Sequence, residues 1–267
     1  MYFGFDNIRA AYGKRTVLDG LTLEINKGEF AAICGRNGCG KSTLLKTFSG
    51  TVKPAGGHVI FEGRAIGEYK KRDIAKKIAY LPQFSEVPGD IDVWTLVSYG
   101  RYPHQRFGRG LTAENREVID ETLEMTGLLD SRDREVRSLS GGERQRAWLA
   151  MTLCRCPEIV ILDEPAAHLD MGYQIETMEL LGRLVRERNL TVLCVLHDLN
   201  LAARYCDRMS FISGGKVFAD GTPGEVMTEE NIGEVFGISA QIVTDSADGR
   251  LFCIPYGGKD FWNNGNI

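Results

Sequence analysis

The sequence predicts an α/β protein whose parallel sheet is preceded by an antiparallel β subdomain and interrupted by a helical insertion. Apolar segments of strand length alternate with amphipathic helices from residue 159 to residue 206, a pattern typical of parallel sheets. Residues 21–25 alternate apolar and polar side chains, as a half-buried strand does. Residues 84–150 are charged and helical in character. These three observations define the fold that we expect.

In the N-terminal part, a buried central strand is predicted to lead into a glycine-rich loop. Residues 27–29 are expected to turn the chain into residues 30–34, a short apolar run suited to a central strand. The loop is followed by a helix that we expect to end at about Ser49, because Gly50 suits a C-terminal cap. A further short strand is expected at residues 59–61.

The remaining elements are predicted from caps, turns and apolar periodicity. Thr112 suits the N-cap of a helix that ends at Gly127. Thr222 and Glu225 are spaced as a capping box with a proline between them. Later elements are expected as follows: strands at 159–162 and 191–196, helices at 171–188 and 198–206, and a hairpin turning at Gly214–Gly215. Signals weaken past Gly237, and residues 262–267 are expected to form a loose tail.

Composition narrows the class of protein. The chain has 267 residues, enough for a large buried core, and its net charge of -4 gives no support to a nucleic-acid partner. No apolar run approaches the roughly 18 residues that span a bilayer, and the N-terminus lacks a secretory pattern. The seven cysteines include no C-x-x-C pair, so neither a disulfide framework nor a zinc site is expected. We therefore expect a cytoplasmic protein.

A phosphate-binding motif follows the predicted central strand. Residues 35–42 read Gly-Arg-Asn-Gly-Cys-Gly-Lys-Ser and fit the pattern G-x-x-x-x-G-K-[ST]. Glycines let backbone N–H groups converge on phosphate oxygens, and the helix N-terminus adds partial positive charge. Lys41 supplies a mobile charge for the β- and γ-phosphates of ATP, and Ser42 supplies a hydroxyl for Mg²⁺. We expect the phosphate loop (residues 35–43) to bind ATP through Gly35, Asn37, Gly38, Cys39, Gly40, Lys41, Ser42 and Thr43.

Two acids end a later apolar strand. Residues 159–164 read Ile-Val-Ile-Leu-Asp-Glu. This spacing predicts that Asp163 lies beside the metal, where carboxylate oxygens suit a hard cation. Glu164 is one residue further on, where a carboxylate can polarise an attacking water. Taken alone, such a pair is also typical of a solvated strand end; beside the phosphate loop, we favour the catalytic interpretation.

A third motif identifies the family that the chain resembles. Residues 139–145, here called the signature segment, read Leu-Ser-Gly-Gly-Glu-Arg-Gln. Ser140 and Glu143 are spaced as a capping box, and the glycines between them predict an anion site without a lysine of its own. With the other two motifs, the segment resembles the signature of ABC-family ATPases. The resemblance covers about residues 1–237 and implies a P-loop NTPase (RecA-like) core.

Other landmarks of the family follow in order, and the resemblance implies their roles. Tyr12 matches the aromatic residue that stacks on adenine. Gln83 matches the glutamine that touches Mg²⁺ and senses the membrane partner. Leu169–Asp170, here called the crossover loop, matches the loop that crosses to the opposite subunit. His197 matches the histidine that reads the γ-phosphate.

The resemblance also implies an assembly. Two copies of the chain would pack head to tail, so that Ser140 and Gly142 of one copy complete the ATP site of the other. The resulting magnesium ligands are Ser42, Gln83 and Asp163, and the catalytic residues are Glu164, His197 and Gln83. Two membrane permease subunits and an extracytoplasmic binding protein are the further partners implied. The expected place of work is the cytoplasmic face of the membrane.

Local segments are similar to one branch of the family. Residues 99–104, 165–170, 197–203 and 221–226 resemble the ATPase subunits of importers for ferric siderophores, haem and cobalamin. Importers of other nutrients and exporters stay open as alternatives. A non-transport ABC ATPase is disfavoured because the insertion is short and the chain holds one cassette. We predict an ABC ATP-binding domain at residues 1–237, with its helical insertion at about 84–150, and a C-terminal extension at 238–267.

Overall fold

The computed structural model describes residues 1–83, 90–105, 110–167 and 169–258. Phe84, His168 and the tail predicted at residues 262–267 lie outside the described residues. The strands are β1 (Phe3–Tyr12), β2 (Arg15–Ile25), β3 (Phe30–Cys34), β4 (Gly56–Phe61), β5 (Arg64–Ala65), β6 (Ile78–Leu81), β7 (Ile159–Asp163), β8 (Thr191–Val195), β9 (Arg208–Ser213), β10 (Lys216–Gly221), β11 (Ile238–Thr244) and β12 (Leu251–Gly258). The α-helices are α1 (Lys41–Phe48), α2 (Lys71–Lys77), α3 (Val93–Ser98), α4 (Ala113–Met125), α5 (Gly141–Leu153), α6 (Met171–Arg188), α7 (Leu199–Tyr205), α8 (Pro223–Val226) and α9 (Glu229–Phe236).

The chain divides into two compact units. The first unit comprises Met1–Gly67 and Leu193–Ile267, and the second comprises Glu68–Val192. Parallel strand pairs occur within both units: β3 with β9 in the first, and β6 with β7 in the second. These pairs confirm the α/β prediction.

The N-terminal part of the first unit is an antiparallel sheet, as the alternating residues 21–25 predict. Its strand order is β2-β1-β4-β5. Phe3 pairs with Ile25 on one side and with Phe61 on the other, and all three side chains are fully buried. Alternation along these strands therefore places one face in a hydrophobic core.

The second part of the first unit is built on β3, whose five residues are all buried. Strand β9 lies parallel to β3 and forms the predicted hairpin with β10, which turns at Gly214–Gly215. The capping box predicted at Thr222 and Glu225 starts α8. Strand β3 thus leads from the interior of a sheet directly into the phosphate loop.

Residues 238–258 form a hairpin that sequence patterns did not predict. Strands β11 and β12 pair along their length, and β12 packs against α7. Asn200 of α7 holds β12 at Cys253, because its Oδ1 accepts from the Cys253 N–H (2.8 Å) and its Nδ2 donates to the Cys253 carbonyl (3.3 Å). The strands bury few side chains, so their apolar pattern is weak.

The second unit combines strands β6 and β7 with a helical cluster. Helices α3, α4 and α5 share a core of buried side chains that includes Leu96, Leu123 and Ala150. Thr112 caps α4 as predicted, by accepting a hydrogen bond from the Asn115 N–H. The buried guanidinium of Arg101 joins this cluster, donating to Asn115 Oδ1 (2.8 Å) and to the Cys154 carbonyl (2.9 Å).

The Arg101–Asn115 contact predicts a specific loss of stability. Both side chains are at least nine-tenths buried, so Asn115→Ala leaves part of a buried charge without its acceptor. We expect the free energy of unfolding to fall by about 1–3 kcal/mol, measured by urea denaturation. Asn115→Asp keeps the acceptor and is expected to lose less, and Glu117→Ala on the exposed side of α4 is the neutral control. Equal stability of the Asn115→Ala and wild-type chains would contradict the assignment.

Candidate functional site

The phosphate loop joins the buried strand β3 to α1 in the first unit. Lys41, the first residue of α1, is 5% exposed. Its ammonium folds back over the loop and donates to the carbonyls of Gly35 (2.7 Å) and Arg36 (3.1 Å). The positive charge is therefore held at the loop, where a phosphate group would be bound.

Two glycines give the loop a backbone that other residues rarely adopt. Gly38 and Gly40 have φ angles of 80° and 114°. A Cβ at Gly40 would lie 2.7 Å from Leu18 Cδ2, whereas the same position at Gly38 meets nothing within 4 Å. Gly40 is the N-cap of α1 and offers no side-chain cap, so the N-terminal amides of the helix remain available to an anion. This backbone fits the phosphates of ATP.

A cleft of about 410 Å³ lies beside the loop within the first unit. Its walls come from loop residues 36–39, from residues 15–17 at the start of β2, and from the turn at residues 213–215. Arg15 and Arg36 give the cleft positive charge. Tyr12, half exposed, pairs with Arg15 across the hairpin and so stands next to the cleft wall. The arrangement suits a nucleotide whose phosphates lie on the loop.

His197 lies in the same unit as the phosphate loop. The preceding Leu196 N–H donates to the Ile33 carbonyl (3.0 Å), which lies two residues before Gly35. Asp198 caps α7 by accepting from the N–H groups of Asn200 and Leu201. His197 is thus an exposed residue held between a strand end and a capped helix.

The second unit brings together Gln83 and Glu164, which lie 81 residues apart in sequence. Gln83 Nε2 donates to Glu164 Oε2 at 2.7 Å. Glu164 has a φ of 56°, uncommon for a residue with a side chain, and such strain is often retained at functional sites. Asp163, the last residue of β7, is 4% exposed. Burial, together with the charge of Asp163, raises the pKa of Tyr80 to about 12, so that phenol stays neutral.

The signature segment begins α5 with the predicted capping box. Ser140 Oγ accepts from the Glu143 N–H (3.2 Å), and Glu143 Oε2 accepts from the Ser140 N–H (2.9 Å). These hydrogen bonds, helped by Arg134, hold the pKa of Glu143 below its usual range, so its carboxylate is charged at neutral pH. Ser140 and Gly141 are exposed, whereas Gly142 is buried.

The predicted site residues therefore fall into two groups. Tyr12, the phosphate loop and His197 belong to the first unit, and Gln83, Ser140, Gly142, Asp163 and Glu164 belong to the second. Sequence patterns missed the cleft walls at residues 15–17 and 213–215, because no local signal ties these distant turns to the loop. Among the residues that the structure describes, no cluster of three or more His, Cys, Asp or Glu side chains could hold a metal ion. No helix in the described ranges has the length and apolar character needed to cross a membrane.

The chain is similar in sequence to known ATP-binding proteins. The ABC transporter family matches residues 18–167. The ferric enterobactin transport ATP-binding protein FepC of Escherichia coli (strain K12) is 43% identical over 252 residues, covering 94% of this chain and 93% of that protein. The iron(3+)-hydroxamate import ATP-binding protein FhuC of Bacillus subtilis (strain 168) is 44% identical over 252 residues, with coverages of 94% and 93%.

A solved structure extends the similarity to the fold. The dimeric ATP-binding cassette MJ0796, in a post-hydrolysis state bound to ADP and Pi, matches with a TM-score of 0.71 and 28% identity, over 83% of this chain and 98% of that one. The predicted P-loop NTPase core is thereby confirmed. The chain belongs to the ABC transporter family. Like the other ATP-binding proteins of this family, it is an ATPase that is coupled to transport.

Proposed function

We propose that this chain powers an ABC importer for ferric siderophores. The observation that carries the proposal is its 43% and 44% identity, over 94% of the chain, to ATP-binding proteins named for ferric enterobactin transport and iron(3+)-hydroxamate import. The segments at residues 99–104 and 197–203 support the same branch of the family. Haem and cobalamin are the other substrates of that branch.

Within one chain, the phosphate loop is proposed to hold the triphosphate. Lys41 binds the β- and γ-phosphates, because its ammonium already lies over the loop carbonyls. Amides of residues 35–43 donate to phosphate oxygens, and Tyr12 stacks on adenine beside the basic cleft. Residues 36–39 line that cleft directly.

Magnesium is the proposed metal, and Ser42, Gln83 and Asp163 are its proposed ligands. Their hydroxyl, amide and carboxylate oxygens match the oxygen ligands that Mg²⁺ prefers. When bound, the ion would neutralise phosphate charge during hydrolysis.

Glu164 is the proposed group that orients and deprotonates water. Its Oε2 accepts from Gln83 Nε2, which fixes the direction of the carboxylate that would take a proton from the water. His197 is proposed to donate to the γ-phosphate from its exposed position at the end of β8. Catalysis then rests mainly on positioning and charge stabilisation.

Two copies of the chain are proposed to share each ATP. Ser140 is exposed at a capped helix start, a backbone arrangement that suits an anion. Each chain already has its own phosphate loop. We therefore propose that this second anion site covers the ATP that is bound to the phosphate loop of the partner copy. The dimeric state of the cassette MJ0796 supports this assembly, and two-fold symmetry would produce two equivalent sites.

We place the working protein at the cytoplasmic face of the membrane, bound to two permease subunits. The transport and import named for the relatives support a membrane partner. An extracytoplasmic binding protein would select the iron complex, since the ATPase has no access to it. No nucleic-acid partner is proposed.

Replacing Glu164 tests the assigned chemistry. Glu164→Gln keeps the size of the side chain and removes its basic carboxylate, so we expect turnover to fall about 10²–10⁴-fold while ATP binding is retained. Steady-state phosphate release and binding of a fluorescent ATP analogue measure the two effects. Glu179→Gln, on the exposed side of α6, is the matched control. Near wild-type hydrolysis by Glu164→Gln would contradict the role.

Uptake of radiolabelled iron tests the transport assignment. Cells that lack this chain are expected to lose uptake of a ferric siderophore, and wild-type protein is expected to restore it. Lys41→Ala should fail to restore uptake, because no ammonium group then balances the negative charge of the phosphates. Lys46 is an exposed lysine of the same helix, and Lys46→Ala should restore uptake. Unchanged siderophore uptake in the deleted cells, with loss of haem, cobalamin or another nutrient instead, would overturn the substrate class.

A further inference from the structure

Tyr173 of α6 explains why residue 142 of the signature segment is a glycine. The φ angle of Gly142 is not positive, so its backbone conformation does not require glycine. A Cβ built there would instead lie 2.6–2.8 Å from three ring atoms of Tyr173. The signature backbone therefore rests directly on this aromatic ring.

Contacts from α5 hold the ring in place. The guanidinium carbon of Arg146 lies 4.9 Å from the centroid of the Tyr173 ring, within the range of a cation–π interaction. Arg146 stands one turn after Gly142 on α5, and it also pairs with Glu176, one turn after Tyr173 on α6. The two helices are thus joined at two successive levels beside the signature segment.

The backbone of Tyr173 is hydrogen-bonded to the crossover loop. Its N–H donates to Asp170 Oδ1 (3.0 Å), which caps α6. The next residue, Gln174, donates from Nε2 to the carbonyls of Leu169 and Ala166, each at 3.2 Å. The first turn of α6 therefore holds the crossover loop through the Tyr173 N–H and the Gln174 side chain. The same turn contacts the signature segment through the ring of Tyr173.

We propose that Tyr173 is a positioning residue that locks the signature segment to the crossover loop, so that both meet the partner copy as one rigid surface. The inference rests on the proposed function, in which these two segments complete the partner's ATP site. In this scheme Tyr173 does not bind the nucleotide itself.

The proposal predicts a separation of effects. Tyr173→Ala should leave ATP binding by the single chain unchanged, because the phosphate loop is intact. It should lower kcat about tenfold or more, since small misplacement of a site strongly reduces rate. Tyr173→Phe keeps the ring and should retain kcat. Tyr205→Ala removes a partly buried tyrosine that lies under Arg204 on α7 and should leave kcat near wild type.

A double-mutant cycle tests the contact. The kcat and KM for ATP are measured for full-length Gly142→Ala, Tyr173→Ala and the double variant, at protein concentrations where wild-type turnover per chain is maximal. Gly142→Ala should reduce kcat because its methyl group displaces the ring. The double variant should be no slower than the slower single variant, because removing the ring makes room for the methyl group. Losses that multiply, or a Tyr173→Phe variant as slow as Tyr173→Ala, would overturn the proposal.

Ser140→Arg separates this inference from the function on which it rests. An arginine at this exposed position should block the shared site and abolish turnover. If Ser140→Arg hydrolyses ATP normally, the shared site itself is wrong. If Ser140→Arg is inactive while the losses at Gly142 and Tyr173 multiply, only the role of Tyr173 is wrong.

Discussion

Hydrogen bonding of the Lys41 ammonium to the carbonyls of Gly35 and Arg36 is the constraint on which the nucleotide site depends. It holds a nearly buried positive charge at 2.7 Å from the Gly35 carbonyl, and it closes residues 35–41 into a compact turn. The surrounding interior is apolar: burial raises the pKa of the Cys34 thiol, directly before the loop, to about 12. A buried strand precedes the loop and a helix N-terminus follows it, an arrangement that leaves the loop amides available to a phosphate.

A second constraint acts on Glu164, the proposed catalytic carboxylate. The left-handed backbone of Glu164 and its hydrogen bond from Gln83 set the direction of one carboxylate at the end of a buried strand. At the start of α5, the capping box leaves Ser140 exposed and places Gly142 on the Tyr173 ring. Each feature forms within one chain, and in the proposed assembly the signature segment acts on the nucleotide held by a second copy.

Local signals predicted much of this structure. The caps at Thr112, Ser140 and Thr222 depend on residues within one helical turn, so sequence spacing is sufficient to find them. The phosphate loop and the acids Asp163 and Glu164 at the end of β7 are predicted for the same reason, although the roles of the individual site residues stay predictions. The domain boundaries at 237 and at 84–150 likewise stay predictions.

Contacts between distant residues were not predictable in this way. Strand β6 is only four residues long and is defined by its pairing with β7. The C-terminal hairpin is held by Asn200, 53 residues before Cys253. The ring of Tyr173 looks like an ordinary aromatic residue in an amphipathic helix until α5 is placed against it. In each case a tertiary contact, which leaves no periodic pattern, decides the structure.

Mixing two inactive variants tests the central claim, that each ATP is shared between two copies. Lys41→Ala destroys the phosphate loop, and Ser140→Arg destroys the signature, so each alone should lack turnover. In an equal mixture, half of the randomly formed pairs are mixed, and one of their two sites is intact. Hydrolysis should therefore return to about a quarter of the wild-type rate. Turnover by either variant alone, or a mixture no more active than its components, would contradict the shared site.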